Sequence, residues 1–175
     1  HTQRRRQRQM CIRDRRMEVI GAVREVLCAP ESPPTVLTRL CHPETKIVSL
    51  TVTEKGYCHD PATGRLDHKH PQVKADLKNT NQSCSALGYL CEALYRRWKQ
   101  DLGPFSIVSC DNLPSNGKVL RGLLIEFAKL RDAELADWVE DRVTCPSSMV
   151  DRIVPATTEK DRQNVQKQLG FEDQG

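Results

Sequence analysis

Several features that define common protein classes are absent from the sequence. No apolar run approaches the roughly 18 residues that a membrane-spanning helix needs, and the N-terminus lacks the apolar segment of a secretory signal. The eight cysteines are never closer than seven positions apart, so no C-x-x-C pair suggests a zinc knuckle or a thioredoxin-like site. The nine glycines are all isolated, which excludes a G-x-G turn and a P-loop within this chain. These absences favour a cytoplasmic protein with reduced, mostly buried thiols.

Basic residues are concentrated at the N-terminus. Of the net charge of +4, residues 1–16 contribute seven arginines against one acid, Asp14, whereas residues 17–175 have a net charge of −2. With 38% hydrophobic and 29% charged residues, the chain otherwise has the composition of an ordinary globular domain. Binding to nucleic acid would therefore depend on the N-terminal tract alone. A basic-tailed, nucleic-acid-binding α/β protein is the alternative that this tract leaves open.

The N-terminal tract has a second interpretation. Residues 10–15, Met-Cys-Ile-Arg-Asp-Arg, are what the codons ATG TGT ATA AGA GAC AGR encode, and that DNA resembles the transposon-end adapter used to prepare sequencing libraries. We therefore interpret residues 1–16 as a non-native, translated adapter joined to a truncated gene. We expect this tract to be unpacked or to form an isolated helix.

Hydrophobic periodicity predicts an alternation of strands and helices in the rest of the chain. Two runs rich in β-branched residues, 46–54 and 105–110, are predicted to be buried strands of a parallel sheet. Between them, residues 58–82 are polar and rich in turn-forming residues, and we expect a long excursion with little core. Helices are predicted at 32–42, 83–100, 116–130, 132–142 and from Thr158 to Gly170.

The longest predicted helices have clear signals at their ends and on their inner faces. Ser83 or Ser85 can cap the helix at 83–100, and a capping-box-like TEKD begins the last helix at Thr158. Basic residues suit the C-terminal end of the helix at 83–100, namely Arg96, Arg97 and Lys99. The apolar residues expected on the inner faces of the helices at 83–100 and 116–130 are Leu87, Leu90, Cys91, Leu94, Trp98, Val119, Leu120, Leu123, Leu124 and Phe127.

The order strand, helix, strand, helix is typical of an α/β fold with an open, mostly parallel sheet flanked by helices. Sheets of this kind bind ligands at the carboxyl ends of their strands. In this sequence those ends are TEKGY, after the first strand, and SCDN, after the second. We therefore expect Glu54 and Asn112 to lie at the same edge of the sheet.

Three motifs in order along the chain resemble the mannitol dehydrogenase family. They are VSLTVTEKGYCHDPATGRLD, SCDNLPSNGK and SSMVDRIVPATT, and the resemblance extends from about Glu18 to the C-terminus. The family signature V-D-R-I-x-P is matched at residues 150–155, and the main departure is Cys145, where the family usually has Phe or Ser. This group comprises polyol-specific long-chain dehydrogenases and reductases, including fructuronate and tagaturonate reductases.

The resemblance implies a partial Rossmann-like fold that is truncated at both ends. Residues 17–158 would be part of an NAD(P)-binding domain, and residues 159–175 would begin the connection to a second, helical domain with the catalytic lysine. The family's glycine-rich cofactor turn would lie upstream. We expect a fragment, inactive by itself, of an enzyme that interconverts a polyol with its ketose using NAD or NADP, with a fructuronate or tagaturonate reductase as the alternative.

The resemblance also implies partners and a cellular setting. The partner would be a small polyol or a keto-sugar, or its acid, with no nucleic acid and no membrane. The protein would be cytoplasmic and either a monomer or a weak homo-oligomer.

The resemblance assigns roles to five positions. Asn112 would line the substrate site as part of an oxyanion hole, although by itself it is an ordinary turn residue before Pro114, and Asp111 is expected to fix that turn. Asp151 would orient the substrate or tune the pKa of the lysine, with an ion pair to Arg152 or a helix cap as the alternative. The nicotinamide half of the cofactor is expected to pass Thr53, Glu54 and Gly56, and Gly56 can equally be a simple turn residue.

A metal site is not expected. The polar excursion contains potential metal ligands, but their spacing matches no standard site, and the family to which the motifs point works without metal. These residues are Cys58, His59, Asp60, Asp67, His68 and His70.

Overall fold

A computed structural model describes residues 21–150 and 156–170. Within these ranges there are six α-helices, two β-strands and two short 3₁₀ turns. They are α1 (Pro33–Cys41), β1 (Ile47–Leu50), a 3₁₀ turn (Glu54–Tyr57), α2 (Pro71–Lys78), a 3₁₀ turn (Thr80–Gln82), α3 (Ala86–Lys99), β2 (Ser106–Ser109), α4 (Asn116–Arg131), α5 (Ala133–Arg142) and α6 (Glu159–Leu169).

The two strands form a parallel sheet, as predicted. Ile47 pairs with Ser106 at one end of the ladder, and Leu50 pairs with Ser109 at the other. The ladder continues one residue further, because the backbone N–H of Cys110 donates to the carbonyl oxygen of Leu50 at 2.8 Å. The segments that follow β1 and β2 therefore leave the sheet at the same edge.

The prediction that both strands are buried is wrong for β1. Ile47 is 67% exposed, Ser49 is also exposed, and Val48 and Leu50 are only half-buried. In β2, by contrast, Ile107 and Ser109 are fully buried. Within the described ranges β2 is the sheet neighbour of β1. Side chains alternate between the two faces of a strand, so Val48 and Leu50 lie on the more buried face of β1, and Ile47 and Ser49 lie on the exposed face.

Helices α3 and α4 provide much of the core. Eight of the ten apolar residues expected on their inner faces are less than 3% exposed, and α4 also packs against α5 and β2. Trp98 is only half-buried, with the ammonium of Lys99 lying 3.7 Å from a ring centroid, and Val119 is half-buried as well. The predicted faces are thus confirmed except at their margins. The fully buried members are Leu87, Leu90, Cys91, Leu94, Leu120, Leu124 and, at 2% exposed each, Leu123 and Phe127.

The N-terminus of α3 is held by two side chains. The hydroxyl of Ser85, one of the two predicted caps, accepts from the N–H of Gly88 at 3.0 Å. The buried carboxylate of Asp76 accepts from the N–H groups of Cys84 at 2.7 Å and Ser85 at 3.1 Å. A Cβ at position 88 would lie 2.2 Å from Asp76 Oδ2, so glycine is what allows this carboxylate to approach the helix.

The polar excursion is more ordered than predicted. It contains α2, and Leu66 and Val73 are core residues. The carboxylate of Glu126 in α4 accepts from the backbone N–H of Leu66 at 2.9 Å and from Arg65 Nε at 3.0 Å. These hydrogen bonds lower the pKa of Glu126 against the opposing effect of its partial burial. The sequence does not reveal the order of this segment, because its two core residues, Leu66 and Val73, are separated by polar residues.

Helix α6 belongs to a compact unit separate from the one that contains β1 to α5. Its predicted capping box is confirmed: Thr158 Oγ1 accepts from the N–H of Asp161, and Asp161 Oδ2 accepts from the N–H of Thr158. Gly170 ends the helix with a φ of 77°, in the left-handed region that favours glycine. The predicted conformation of residues 1–16 lies outside the described residues.

The cysteines of the described ranges are all unpaired. Their burial was overestimated, because Cys58 and Cys91 are buried whereas Cys28 and Cys84 are exposed. Within the same ranges, no helix has the length and apolar character to cross a bilayer.

Candidate functional site

The candidate site is the edge of the sheet at which both strands end. After β1 the chain passes through Thr53 into the 3₁₀ turn Glu54–Tyr57, and after β2 it passes through Asp111 to Asn112. Because the strands are parallel and in register up to Leu50 and Ser109, these two loops begin side by side. This is the edge at which open α/β sheets bind ligands.

A buried hydrogen bond joins the two loops. The hydroxyl of Tyr57, 1% exposed, lies 2.6 Å from the hydroxyl of Ser109, the last residue of β2. Burial raises the pKa of Tyr57 to about 12, and the neighbouring Asp111 carboxylate acts in the same direction, whereas the hydrogen bond to Ser109 opposes it. The phenol is therefore a neutral, fixed connection between the two loops.

The loop after β2 exposes Asn112. Asp111 Oδ1 accepts from the backbone N–H of Leu113 at 3.0 Å, so Asp111 fixes the turn as predicted. Asn112 is exposed, and within the described ranges no hydrogen bond engages its amide. Its two N–H donors are therefore available to a ligand at the sheet edge. That placement fits the role predicted for Asn112, although the role itself stays a prediction.

The side chain of Asn116 connects three segments behind this loop. Its Nδ2 lies 3.2 Å from the carbonyl oxygen of Ser109, 3.0 Å from that of Asp111 and 3.2 Å from that of Ser148. Its Oδ1 accepts from the backbone N–H groups of Gly117 at 2.8 Å and Ser148 at 3.0 Å. Asn116 is 1% exposed, so these contacts are shielded from water. Sequence reasoning missed this residue, since an Asn at a helix start is usually only a cap.

Close backbone contact reinforces this junction. A Cβ added to Gly117 would lie 2.3 Å from the carbonyl oxygen of Cys145 and 2.6 Å from the carbonyl carbon of Pro146. The backbone of Cys145 and Pro146 is therefore packed closely against the N-terminus of α4. Burial raises the pKa of the Cys145 thiol to about 11, so this departure from the family pattern acts as a small packed side chain.

The predicted cofactor positions follow β1 directly. Thr53 is exposed, and its carbonyl oxygen accepts from the N–H of Gly56 at 2.7 Å, which closes the 3₁₀ turn. A Cβ at position 56 would lie 3.0 Å from Val52 Cβ, so Gly56 relieves a tight contact within the turn. The roles of Thr53, Glu54 and Gly56 in cofactor binding remain predictions. Asp151 lies outside the described residues.

A cavity of about 370 Å³ opens beside this turn. It is lined by Lys55, Cys58, His59, Pro61 and His70. Within the described ranges, no group of three or more His, Cys, Asp or Glu side chains is arranged to hold a metal ion.

The raised pKa of Tyr57 predicts a loss of stability at alkaline pH. In the unfolded chain the phenol ionises near 10, whereas in the folded chain it stays protonated to about 12. The unfolded state therefore binds fewer protons across this window, and the free energy of unfolding falls as pH rises through it. We expect Tyr57→Phe to reduce that slope in chemical unfolding measured at a series of pH values.

Two comparisons make this experiment specific. Ser109→Ala removes the partner but keeps the buried phenol, so the alkaline slope should remain. The Cys91 thiol, with a pKa raised by burial to about 12, gives a slope of the same sign in every variant and cancels in the comparison. An identical slope for Tyr57→Phe and the parent chain would contradict the burial argument.

Sequence comparisons assign this arrangement to a family. The family model for the mannitol dehydrogenase Rossmann domain matches residues 6–173. Mannitol dehydrogenase 2 of Saccharomyces cerevisiae is 43% identical over 164 residues, which cover 93% of this chain and 33% of the yeast protein. D-mannonate oxidoreductase of Escherichia coli is 45% identical over 159 residues, which cover 90% of this chain and 32% of that protein.

Solved structures agree with the sequence comparisons. The Pseudomonas fluorescens mannitol 2-dehydrogenase, in a ternary complex with NAD and D-mannitol, matches with a TM-score of 0.79 and 40% identity, covering 85% of this chain and 30% of that one. A substrate-free D-sorbitol dehydrogenase matches with a TM-score of 0.82 and 42% identity, covering 89% and 32%. The chain thus spans about a third of the length of these relatives. The predicted Rossmann-like α/β fold is confirmed, and the chain belongs to the mannitol dehydrogenase family.

Proposed function

We propose that this chain is part of an NAD(P)-dependent oxidoreductase that interconverts a sugar alcohol or a hydroxy sugar acid with its ketose. The observation that carries the proposal is Asn112, an exposed amide at the carboxyl edge of a parallel sheet in a mannitol dehydrogenase Rossmann domain, whose donors meet no partner among the described residues. A nicotinamide bound at this edge would supply hydride acceptance or donation. NAD is favoured by the relative that was solved with it, and NADP is the alternative.

The residues of this chain would contribute binding and polarisation. The Asn112 amide donates a hydrogen bond to the substrate oxygen and stabilises the negative charge that develops on it. The turn containing Thr53, Glu54 and Gly56 would position the nicotinamide half of the cofactor. Asp151 would orient the substrate or shift the pKa of a lysine base on a second domain through its charge.

The proposal includes a domain organisation. Residues 17–158 would be part of the cofactor-binding domain, residues 159–175 would lead to a second domain, and residues 1–16 would be an adapter-encoded tract. The parent enzyme would be cytoplasmic and either a monomer or a weak homo-oligomer. Any polyanion binding by this chain should disappear when residues 1–16 are removed, because the remainder has a net charge of −2.

The test is a turnover assay on the full-length protein that contains this chain. We expect oxidation of NADH or NADPH, followed by the loss of reduced-nicotinamide absorbance, with fructose, fructuronate or tagaturonate as the substrate. The substrate and cofactor with the highest kcat/KM would decide between the mannitol-type enzyme and the uronate reductases. A folded full-length protein that oxidises neither cofactor with any of these substrates would refute the proposal.

A further inference from the structure

The cavity beside the first loop has one lysine, Lys55, in its described lining. Its five described lining residues include one lysine and two histidines and no acidic residue. Two acidic neighbours accept hydrogen bonds within turns: Asp60 from the N–H of Ala62 and the hydroxyl of Thr63, and Asp67 from the N–H of Lys69. The charges of Asp76 and Asp67 also act on Cys58, so among the described lining residues it is Lys55 that attracts an anion. The lining therefore offers donors and positive charge to an anion.

The remaining polar lining group adds no negative charge. The thiol of Cys58 donates to Gln72 Oε1 at 3.5 Å, and burial raises its pKa. It therefore stays protonated near neutral pH. The cavity keeps the positive charge of Lys55 without a neutralising thiolate.

His70 is oriented by the helix that it begins. It is the N-cap of α2, and its Nδ1 accepts from the backbone N–H of Gln72 at 3.3 Å. Because Nδ1 is the acceptor, the neutral ring carries its proton on Nε2, which is then a donor. The N-terminus of α2 adds a partial positive charge to the same wall.

The cavity is also close to the candidate site. Lys55 lies within the turn Glu54–Tyr57 that follows β1, and Cys58 is next to Tyr57, whose hydroxyl contacts the last residue of β2. Its volume of about 370 Å³ is within the range of small-molecule pockets. The cavity is thus lined in part by the loop that follows β1 at the sheet edge.

We propose that this cavity binds the carboxylate of a sugar-acid substrate, with Lys55 as the principal charged group and His70 as a donor. The inference rests on the proposed function and deepens it, because it selects a sugar acid over a neutral polyol. A neutral hydroxyl would gain no charge-assisted hydrogen bond from Lys55, whereas a carboxylate would. A phosphate group shares this anionic chemistry, so the test must separate the two.

The first experiment measures binding to the 175-residue chain and needs no turnover. Shifts of the labelled histidine ring and lysine side-chain resonances are followed during titration with sodium D-gluconate, D-mannitol or inorganic phosphate. We expect D-gluconate to shift the resonances of His59, His70 and Lys55 and D-mannitol to leave them unchanged. Lys55→Met should weaken gluconate binding about tenfold or more, the scale of one charge-assisted hydrogen bond.

Two further variants control for net charge and for folding. Lys78→Met removes the same charge from an exposed position at the C-terminal end of α2, outside the cavity lining, and should leave gluconate binding unchanged. His70→Asn keeps a good N-cap but removes the ring donor, and should weaken binding while α2 remains folded. Equal weakening by Lys55→Met and Lys78→Met, equal shifts with D-mannitol, or binding of phosphate but not gluconate would each overturn the proposal.

A second experiment separates this inference from the proposed function. In the full-length protein, Lys55→Met should lower kcat/KM for fructuronate about tenfold or more relative to its effect on the value for fructose. Absence of turnover with every substrate would refute the proposed function, while the gluconate titration would still decide on the cavity. Equal losses for fructuronate and fructose would overturn the carboxylate assignment.

Discussion

Replacement of Asn112 by Ala in the full-length protein is expected to lower kcat by about 10²–10³-fold, the scale of removing one oxyanion-hole donor. The amide sits at the carboxyl edge of the sheet with no engaged donor in the described ranges, so its hydrogen bonds are available to the reacting oxygen. Negative charge develops on that oxygen only as the reaction proceeds. The loss should therefore appear in kcat more than in KM.

A second variant distinguishes the hydrogen-bond donors of Asn112 from the size of its side chain. Asn112→Asp keeps the size of the side chain but replaces the N–H donors with an oxygen, so it should lose at least as much kcat as Asn112→Ala. Because Asn112 is exposed, both variants should change the free energy of unfolding by less than about 0.5 kcal/mol. An unchanged kcat in a folded Asn112→Ala enzyme would remove this residue from the site.

The parallel sheet and the long helices could be predicted because their signals are local. The β-branched run at 105–110 becomes β2, the capping box at Thr158 begins α6, and Ser85 caps α3. In each case the residues that decide the structure are within a few positions of one another. The expectation that β1 is buried failed because burial depends on which neighbouring elements cover the strand.

The residues of the candidate site could be predicted only where they belong to a recognisable sequence motif. The position of Asn112 after β2 follows from the sheet rule, but the Tyr57–Ser109 contact joins residues 52 positions apart. Nothing in the local sequence distinguishes Tyr57 from an ordinary core tyrosine. The cavity beside it depends in the same way on α2, whose N-cap is a histidine rather than one of the usual capping residues.

The role of Arg97 also depends on residues distant in sequence and could not be predicted. By sequence it suits the C-terminal end of a helix, where a basic side chain stabilises the helix dipole from the surface. In the structure it is 2% exposed, and it donates to the carbonyl oxygens of Gly103 at 2.7 Å, His42 at 2.7 Å and Leu40 at 3.3 Å. These hydrogen bonds connect the segment that precedes β1 with the segment that precedes β2. The partners are loop carbonyls, which carry no sequence signal.

Replacement of Asn116 by Ala is expected to destabilise the chain by about 3–5 kcal/mol, because several buried or part-buried groups lose a hydrogen bond at once. The amide is the common partner of the carbonyl oxygens of Ser109, Asp111 and Ser148 and of the N–H groups of Ser148 and Gly117. Each buried polar group left without a hydrogen bond costs about 1–3 kcal/mol. Urea unfolding of the 175-residue chain and the variant measures the difference.

Asn116→Asp tests which half of the amide matters. It keeps an acceptor for the two N–H groups but turns a second oxygen toward the three carbonyl oxygens that Nδ2 now contacts. The carboxylate form is therefore disfavoured in the folded state, which raises the pKa of the introduced acid above its unfolded value. Stability should fall as pH rises from the unfolded value, about 3.9, through the folded one, since the folded state then binds the extra proton.

The neighbouring glycine offers an independent test of the same junction. Gly117→Ala adds a methyl group that meets the backbone of Cys145 and Pro146 at less than 3 Å, so it should force the two segments apart although every Asn116 contact partner is retained. We expect a loss of about 1–3 kcal/mol, the usual cost of overpacking. If Asn116→Ala and Gly117→Ala both leave the unfolding midpoint unchanged, residues 145–148 are not held against α4.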